Sequence, residues 1–429
     1  MTEFYKLHNR IKRFDWGSAD FIPRLLGVEG DGPWAEMWMG IHPGSSSTVS
    51  DTVSLGELIT GDPCRFLGEK TARQYGSLPF LFKLLAAEKP LSVQAHPDKI
   101  KAREGFEREN KAGLRLDSPN RNYRDPNHKP EIICALTPLT GLCGFRDPAE
   151  IHKNLEFFLS CGDRGLLSEG FAPLLTALQK PDTAAPLRDF LSALFGMPEP
   201  IRKALTEYIL SKNMEQNSNY LNNNSAPREP RTSGSMVRRL CEKKIEIGLL
   251  QNFARLYPGD PSVLAPLYLN VFRLEPGEAV FLESGVLHTY VYGLGLELMA
   301  NSDNVLRGGL TSKHIDVPEL MKILNFSPIK PCIIKPEPGS TRFTYPVPCG
   351  EFSLTVIHGK EGGGGVFAPD GPVICIVTDG EVTVQGSTSI VLKRGESVFI
   401  PPAADGKPFL LRGNFTLYVA GVNTSWKVP

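Results

Sequence analysis

None of the eight cysteines forms a C-x-x-C pair, which argues against a zinc ribbon, a dithiol redox motif or a dense disulfide framework and predicts reduced thiols. There is no run of about 18 apolar residues, so no membrane-spanning helix is expected. The opening MTEFYKLHNRIKRFDWGS has no apolar stretch behind its basic residues, so no secretory leader is expected either. Charge of a prevailing sign is also missing, because 47 Lys and Arg balance 47 Asp and Glu. Without a global field the expected partners exclude nucleic acid and anionic membranes, and an anionic ligand needs a local cluster to hold it. A cytoplasmic monomer is expected. What the chain does have is 429 residues, 41% of them apolar, enough for two or three hydrophobic cores.

The pattern along the chain reads as mainly β with an α-helical insertion. Residues 34–145 present short apolar stretches separated by Pro and Gly, as strands and turns do. At Asp147-Pro148 the period changes to a helical one, with Ile151, Leu155, Phe158 and Leu159 on one stripe. Leu187, Phe190, Leu191 and Leu194 form a second stripe, and Ile201, Leu205, Tyr208 and Ile209 a third. A looser one joins Leu240, Ile247, Leu250 and Phe253. The Asn-rich stretch 213–235 reads as a surface loop, and Gly362 to Gly365 as a flexible link. Strand patterning resumes at PLYLNVFRL and continues, after a helix near VPELMKIL, to the end; TDGEVTVQGS reads as a hairpin.

Two segments resemble each other, PGEAVFLESGVLH and RGESVFIPPAADG, beginning at Pro276 and Arg394. The first is close to the G-x5-P-x-G-x2-H-x3-N motif of cupins, whereas the second has Gly406 where His288 would fall. Two cupin-like jelly rolls are implied, only one with a metal-capable His. In LSVQAHPDK, Gln94 and His96 are two apart and share a face of an extended strand. Glu131 opens another strand, and His288 closes the motif. Two imidazoles, a carboxylate and an amide oxygen suit Zn²⁺, with Mn²⁺ and Fe²⁺ compatible. His8, His152 and His358 lack a second ligand type nearby, whereas His42, His128 and His314 adjoin turns and could line a cleft.

A further cluster follows His288: Glu297, Asp303, Arg307 and Lys313 lie in LGLELMANSDNVLRGGLTSKHID. An acid with Arg and Lys is what a sugar phosphate requires, donors for the dianion and a group that moves a proton. Lys83 and Lys129 add cations within apolar strands.

Together AEMWMGIHPGSSS, LPFLFKLLAAEKPLSVQAHPDK, DPNHKPEIICALTPLTGLCGFR and PGEAVFLESGVLHTYVYGLGLELMANSDNVLRGGLTSKHIDVPEL resemble the type I mannose-6-phosphate isomerases. The resemblance implies a zinc enzyme that interconverts mannose 6-phosphate and fructose 6-phosphate through a cis-enediol. It implies a catalytic jelly roll over 1–146 and 260–325, a helical insertion over 147–259, and over 326–429 a second jelly roll without metal ligands. The family's zinc ligands fall on Gln94, His96, Glu131 and His288. Its active-site residues fall on Trp16, Lys83, Ser92, Lys129, Tyr290, Glu297, Asp303, Arg307 and Lys313. On this reading Arg307 stabilises enediolate charge, Ser92 and nearby lysines hold phosphate, and Glu297, Lys129, Asp303 or Tyr290 is the base. An Fe²⁺ cupin oxygenase and a non-catalytic sugar-binding cupin are the alternatives. The C-terminal barrel is expected to cover a β edge of the catalytic domain or to contact a partner.

Overall fold

The computed structural model of the chain describes residues 3–160, 165–179, 184–211, 246–360, 364–402 and 407–426. The Asn-rich stretch, Leu240, Gly362, Gly363 and Gly406 lie outside the described residues. The chain is mostly antiparallel β-sheet, with about 31% helix.

The strand His288–Ala300 organises the N-terminal β region. Its first half pairs with the strands Val93–Ala95 and Leu139–Phe145, and its second half with Phe80–Ala87 and Glu131–Ala135. The change of partners falls just after an irregularity between Tyr290 and Tyr292, at Gly293, whose φ is 121°. Only glycine fits there, since an added Cβ would lie 2.6 Å from the Pro138 carbonyl oxygen. One strand thus belongs to two sheets, and their facing sides enclose an apolar interior that includes Leu85, Ile133, Phe272, Leu282 and Tyr290.

Phe80–Ala87 is buried along its whole length because both of its faces are covered. Leu85 and Ala87 point into that interior. Phe80, Phe82 and Leu84 point the other way, with Ile132 and Cys134, against Tyr345, Leu354, Phe399 and Tyr418 of the C-terminal sheet. The C-terminal β region therefore lies on a face of the neighbouring sheet rather than capping an edge. It also takes in the N-terminal residues Tyr5 and Lys6, which pair with Phe399 and Val398.

The two similar segments fold alike. Gly277 and Gly395 both have φ of 86°, and each precedes a four-residue strand, Ala279–Leu282 or Ser397–Ile400. In each turn the Glu after the glycine accepts a backbone N–H three residues upstream, Glu278 from Glu275 and Glu396 from Lys393. TDGEVTVQGS does form part of a hairpin: Val373–Gln385 pairs with Ser389–Lys393 and the chain reverses between Gln385 and Ser389, while a bulge between Val377 and Asp379 lies within the first strand.

The helical stripes form as their spacing indicates, in Pro148–Ser160, Ala184–Phe195 and Glu199–Ser211. A further helix, Gly165–Leu178, carries Pro173 in its interior. The reading of 34–145 as strands and turns needs correction, because Leu55–Gly61, Pro63–Tyr75 and Lys99–Lys111 are helices. Their stripes are too polar to announce themselves; Lys99–Lys111 buries only Ala102, Gly105 and Glu109. Their caps are legible: Ser54 and Glu57 form a capping box, and Asp62 and Asp98 accept backbone N–H groups from the first turns.

Candidate metal centre and sugar phosphate site

Strand register builds the site from two rows. Directly opposed residues of antiparallel strands project to the same face. Gln94 is opposed by His288 on one side and by Arg307 on the other. His96, two residues beyond Gln94, joins this row. On the other sheet Glu297 is opposed by Lys83, and Lys83 by Trp38. Glu131 lies two residues from Ile133, the other neighbour opposite Glu297, so it projects to that same face.

The rows meet at His96, Glu131 and His288, whose ligand-type atoms lie within 4.8 Å of one another. The three residues are at most 1% exposed. His96 Nε2 is 3.4 Å from Glu131 Oε2, and His288 Nε2 is 3.0 Å from Glu131 Oε1. The outer nitrogens are tied down: His96 Nδ1 lies 2.7 Å from the Asn304 carbonyl and His288 Nδ1 2.8 Å from that of Val286. With the Nδ1 hydrogens donated to carbonyls, both Nε2 lone pairs face inward, the tautomer a metal ligand needs. Burial, and then the Lys129 ammonium, push the His96 imidazole down to about 4, so it is neutral near pH 7. Burial would raise Glu131, but Lys129 and His96 hold its carboxyl well below the usual range. His96 Nε2, His288 Nε2 and Glu131 Oε2 are buried without a hydrogen-bond partner among the described residues. Three orphaned ligand atoms converging in this way fit a bound divalent cation. Gln94, opposite His288 in the strand register, has its amide oxygen 3.5 Å from Ser92 Oγ.

Beside this centre, Lys83 Nζ donates to Glu297 Oε2 at 2.9 Å and lies 3.8 Å from Glu36 Oε1. Burial opposes the Lys83 charge, yet Glu297 and Glu36 raise its pKa. Burial pushes the Glu297 carboxyl up in spite of Lys83. Tyr290 donates to Glu131 Oε1 at 3.3 Å, and burial together with Glu131 raises the phenol well above its ordinary value. Lys129 Nζ is 3.5 Å from Glu131 Oε2.

Residues 4–148 match the family described as phosphomannose isomerase type I, catalytic domain. The chain is 36% identical to the mannose-6-phosphate isomerase of Escherichia coli K12 over 430 residues, 95% of this chain and 97% of that one. The chain belongs to the type I mannose-6-phosphate isomerases. The human mannose-6-phosphate isomerase is 33% identical, covering 92% of this chain and 93% of its own. A mannose 6-phosphate isomerase solved with zinc bound superposes with a TM-score of 0.80 at 33% identity, covering 98% of this chain and all of that one.

The remaining site residues anticipated from the isomerase resemblance have the following surroundings. Asp303 Oδ1 is 3.1 Å from His42 Nε2, and this neighbour lowers the carboxyl against the effect of burial. Trp16 is half-buried, packs on the apolar interior that includes Leu85 and Tyr290, and stacks on Phe14. Arg307 is half-buried without a hydrogen bond or ion pair among the described residues; burial and then Arg124 pull its pKa down. Lys313 is exposed, and burial of part of its side chain, followed by Arg307, lowers it as well. Arg124 is not among the residues singled out from the sequence, although it directly precedes the DPNHKPE stretch that carries part of the resemblance. Arg124 opposes the charge of Arg307, and both oppose that of Lys313. A groove of about 2340 Å³, lined by Arg255, Arg273, His358 and Arg394 among others, borders none of the metal-centre residues.

Proposed function

We propose that the chain is a zinc-dependent aldose–ketose isomerase that interconverts mannose 6-phosphate and fructose 6-phosphate. The observation that carries this reading is the convergence of three orphaned, buried ligand atoms of His96, Glu131 and His288. Gln94, His96, Glu131 and His288 would hold the zinc, which supplies Lewis-acid polarisation of a sugar oxygen. Arg124, Lys313 and Ser92 bind the phosphate dianion as a charge-assisted group. Arg307, next to Gln94 in the strand register, neutralises charge that develops on the enediol oxygens. Trp16 walls the approach.

Isomerisation moves a proton between C2 and C1. Glu297 fits the task best: its carboxyl is raised toward the working range and Lys83 fixes its orientation. Tyr290 is better suited to orienting Glu131, and Lys129 to balancing that carboxylate's charge. Asp303 remains the second candidate for proton transfer to a sugar hydroxyl. The layout that accompanies this reading is two cupin-like jelly rolls with a helical insertion, acting as a monomer in the cytoplasm.

The test is fructose 6-phosphate formation from mannose 6-phosphate before and after chelation. Activity is expected to vanish with the metal and return with added zinc. A folded, zinc-loaded protein without turnover would reject the isomerase reading and favour the sugar-binding one. A narrower prediction concerns Lys83→Met. Lys83 favours the ionised form of Glu297, so its removal raises that carboxyl further, and the acid limb of kcat/KM should move about one to two pH units higher. An unmoved limb would mean that Glu297 is not the base.

A further inference from the structure

Among the described residues, Leu310 is the only one other than glycine with a positive φ, 51°. It falls three residues after Arg307 and three before Lys313, midway between two of the cations of the proposed sugar phosphate site. Gly309, with φ of 133°, precedes it. Left-handed backbone at a leucine persists only where the surroundings impose it.

The imposing groups are Asp260 and Ser262, at the point where the chain leaves the inserted helices. Asp260 caps the short helix Pro261–Leu264 by accepting the Ser262 N–H on Oδ1 at 2.8 Å. A cap requires no more than that. The other oxygen, Oδ2, accepts the Leu310 N–H at 2.7 Å, and Ser262 Oγ donates to the Gly308 carbonyl at 2.6 Å. Ser262 is fully buried, and a Cβ on Gly309 would lie 2.2 Å from its Cβ and Oγ, so the contact is as close as glycine permits. The segment so gripped continues the strand in which Arg307 opposes Gln94, with an irregularity between Arg307 and Gly309.

We propose that Asp260, assisted by Ser262, is a positioning residue of the isomerase: it clamps Gly308–Leu310 and thereby aims Arg307 into the site. This rests on the reading of Arg307 given above. The clamp matters because Arg307 has no carboxylate partner among the described residues, so its placement depends on its backbone. Asp260 acts from the base of the backbone turn, its carboxylate bonded to the Ser262 and Leu310 N–H groups.

The experiment uses zinc-loaded Asp260→Asn, Ser262→Ala, Arg307→Ala and the double variant Asp260→Asn/Arg307→Ala, with mannose 6-phosphate as substrate. Asparagine keeps the shape of the cap but turns an amide N–H₂ toward one of two backbone N–H groups. Asp260→Asn should lower kcat about tenfold to a hundredfold, as a misplacement of about 1 Å does, with KM changed less and zinc content unchanged. Ser262→Ala should lower it in the same sense by less. In the Arg307→Ala background, Asp260→Asn should cost less than about twofold, because the group it aims is gone. Equal losses with and without Arg307, or wild-type kcat in Asp260→Asn while Arg307→Ala is impaired, overturns the inference. Wild-type activity in Arg307→Ala overturns the reading beneath it instead. If Asp260→Asn does not fold, Ser262→Ala in the two backgrounds decides by the same comparison.

Discussion

Arg307→Ala is expected to lower kcat by about a thousandfold, the effect of removing a preorganised charge from a developing oxyanion, while bound zinc stays at the wild-type level. The guanidinium is half-buried, without a carboxylate, and next to Gln94 in the strand register. Burial of an unpaired cation destabilises the resting protein, so its retention implies a negative charge that arrives during turnover. Arg307→Lys should recover little, because an ammonium lacks the planar fork that spans two oxygens. The measurement is steady-state kinetics with metal analysis on the same preparation. Near-normal kcat in Arg307→Ala would remove the residue from the chemistry; a raised KM alone would move it to the phosphate.

Glu131→Gln is expected to weaken zinc binding by at least about a thousandfold and to abolish activity with it. Glu131 is fully buried, the only anion among the candidate ligands, and the counter-charge to Lys129 at 3.5 Å. The amide removes the charge that offsets both the cation and the ammonium, so the metal and Lys129 would face each other unscreened. Competition with a chromophoric chelator measures the affinity, and circular dichroism checks that the fold survives. Unchanged affinity would show that the metal sits elsewhere.

Much of the candidate site was legible in the sequence because its geometry is local. Gln94 and His96 share a face by strand alternation alone, and the turn glycine before Ala279–Leu282 is visible in the motif that ends at His288. What escaped depends on contacts between distant segments. The Lys83–Glu297 pair needs the register between two strands far apart in the chain, and the clamp by Asp260 needs the turn at Leu310. Arg124 directly precedes a stretch that carries the resemblance without belonging to it. The polar helices of the N-terminal half hide for another reason: their stability comes from caps and a few small buried residues, not from an apolar stripe. That the C-terminal sheet covers a face could be read only from Phe80–Ala87 being apolar on both sides apart from Lys83, a pattern that a fully buried strand shares with other buried segments.

The pairing of Tyr5 and Lys6 with Phe399 and Val398 has a consequence for biosynthesis. On the ribosome, Tyr5 and Lys6 wait for their partners until several hundred further residues have been made. The metal centre waits too, because His288 follows Glu131 by more than a hundred residues and the four strands its own strand pairs with all emerge earlier. Contacts of such long sequence separation fold slowly and leave apolar strand faces uncovered in the nascent chain. Phe80, Phe82 and Leu84 are such a face until the C-terminal sheet arrives. Maturation is therefore expected to end after translation, with early truncation products prone to aggregate and dependent on chaperones.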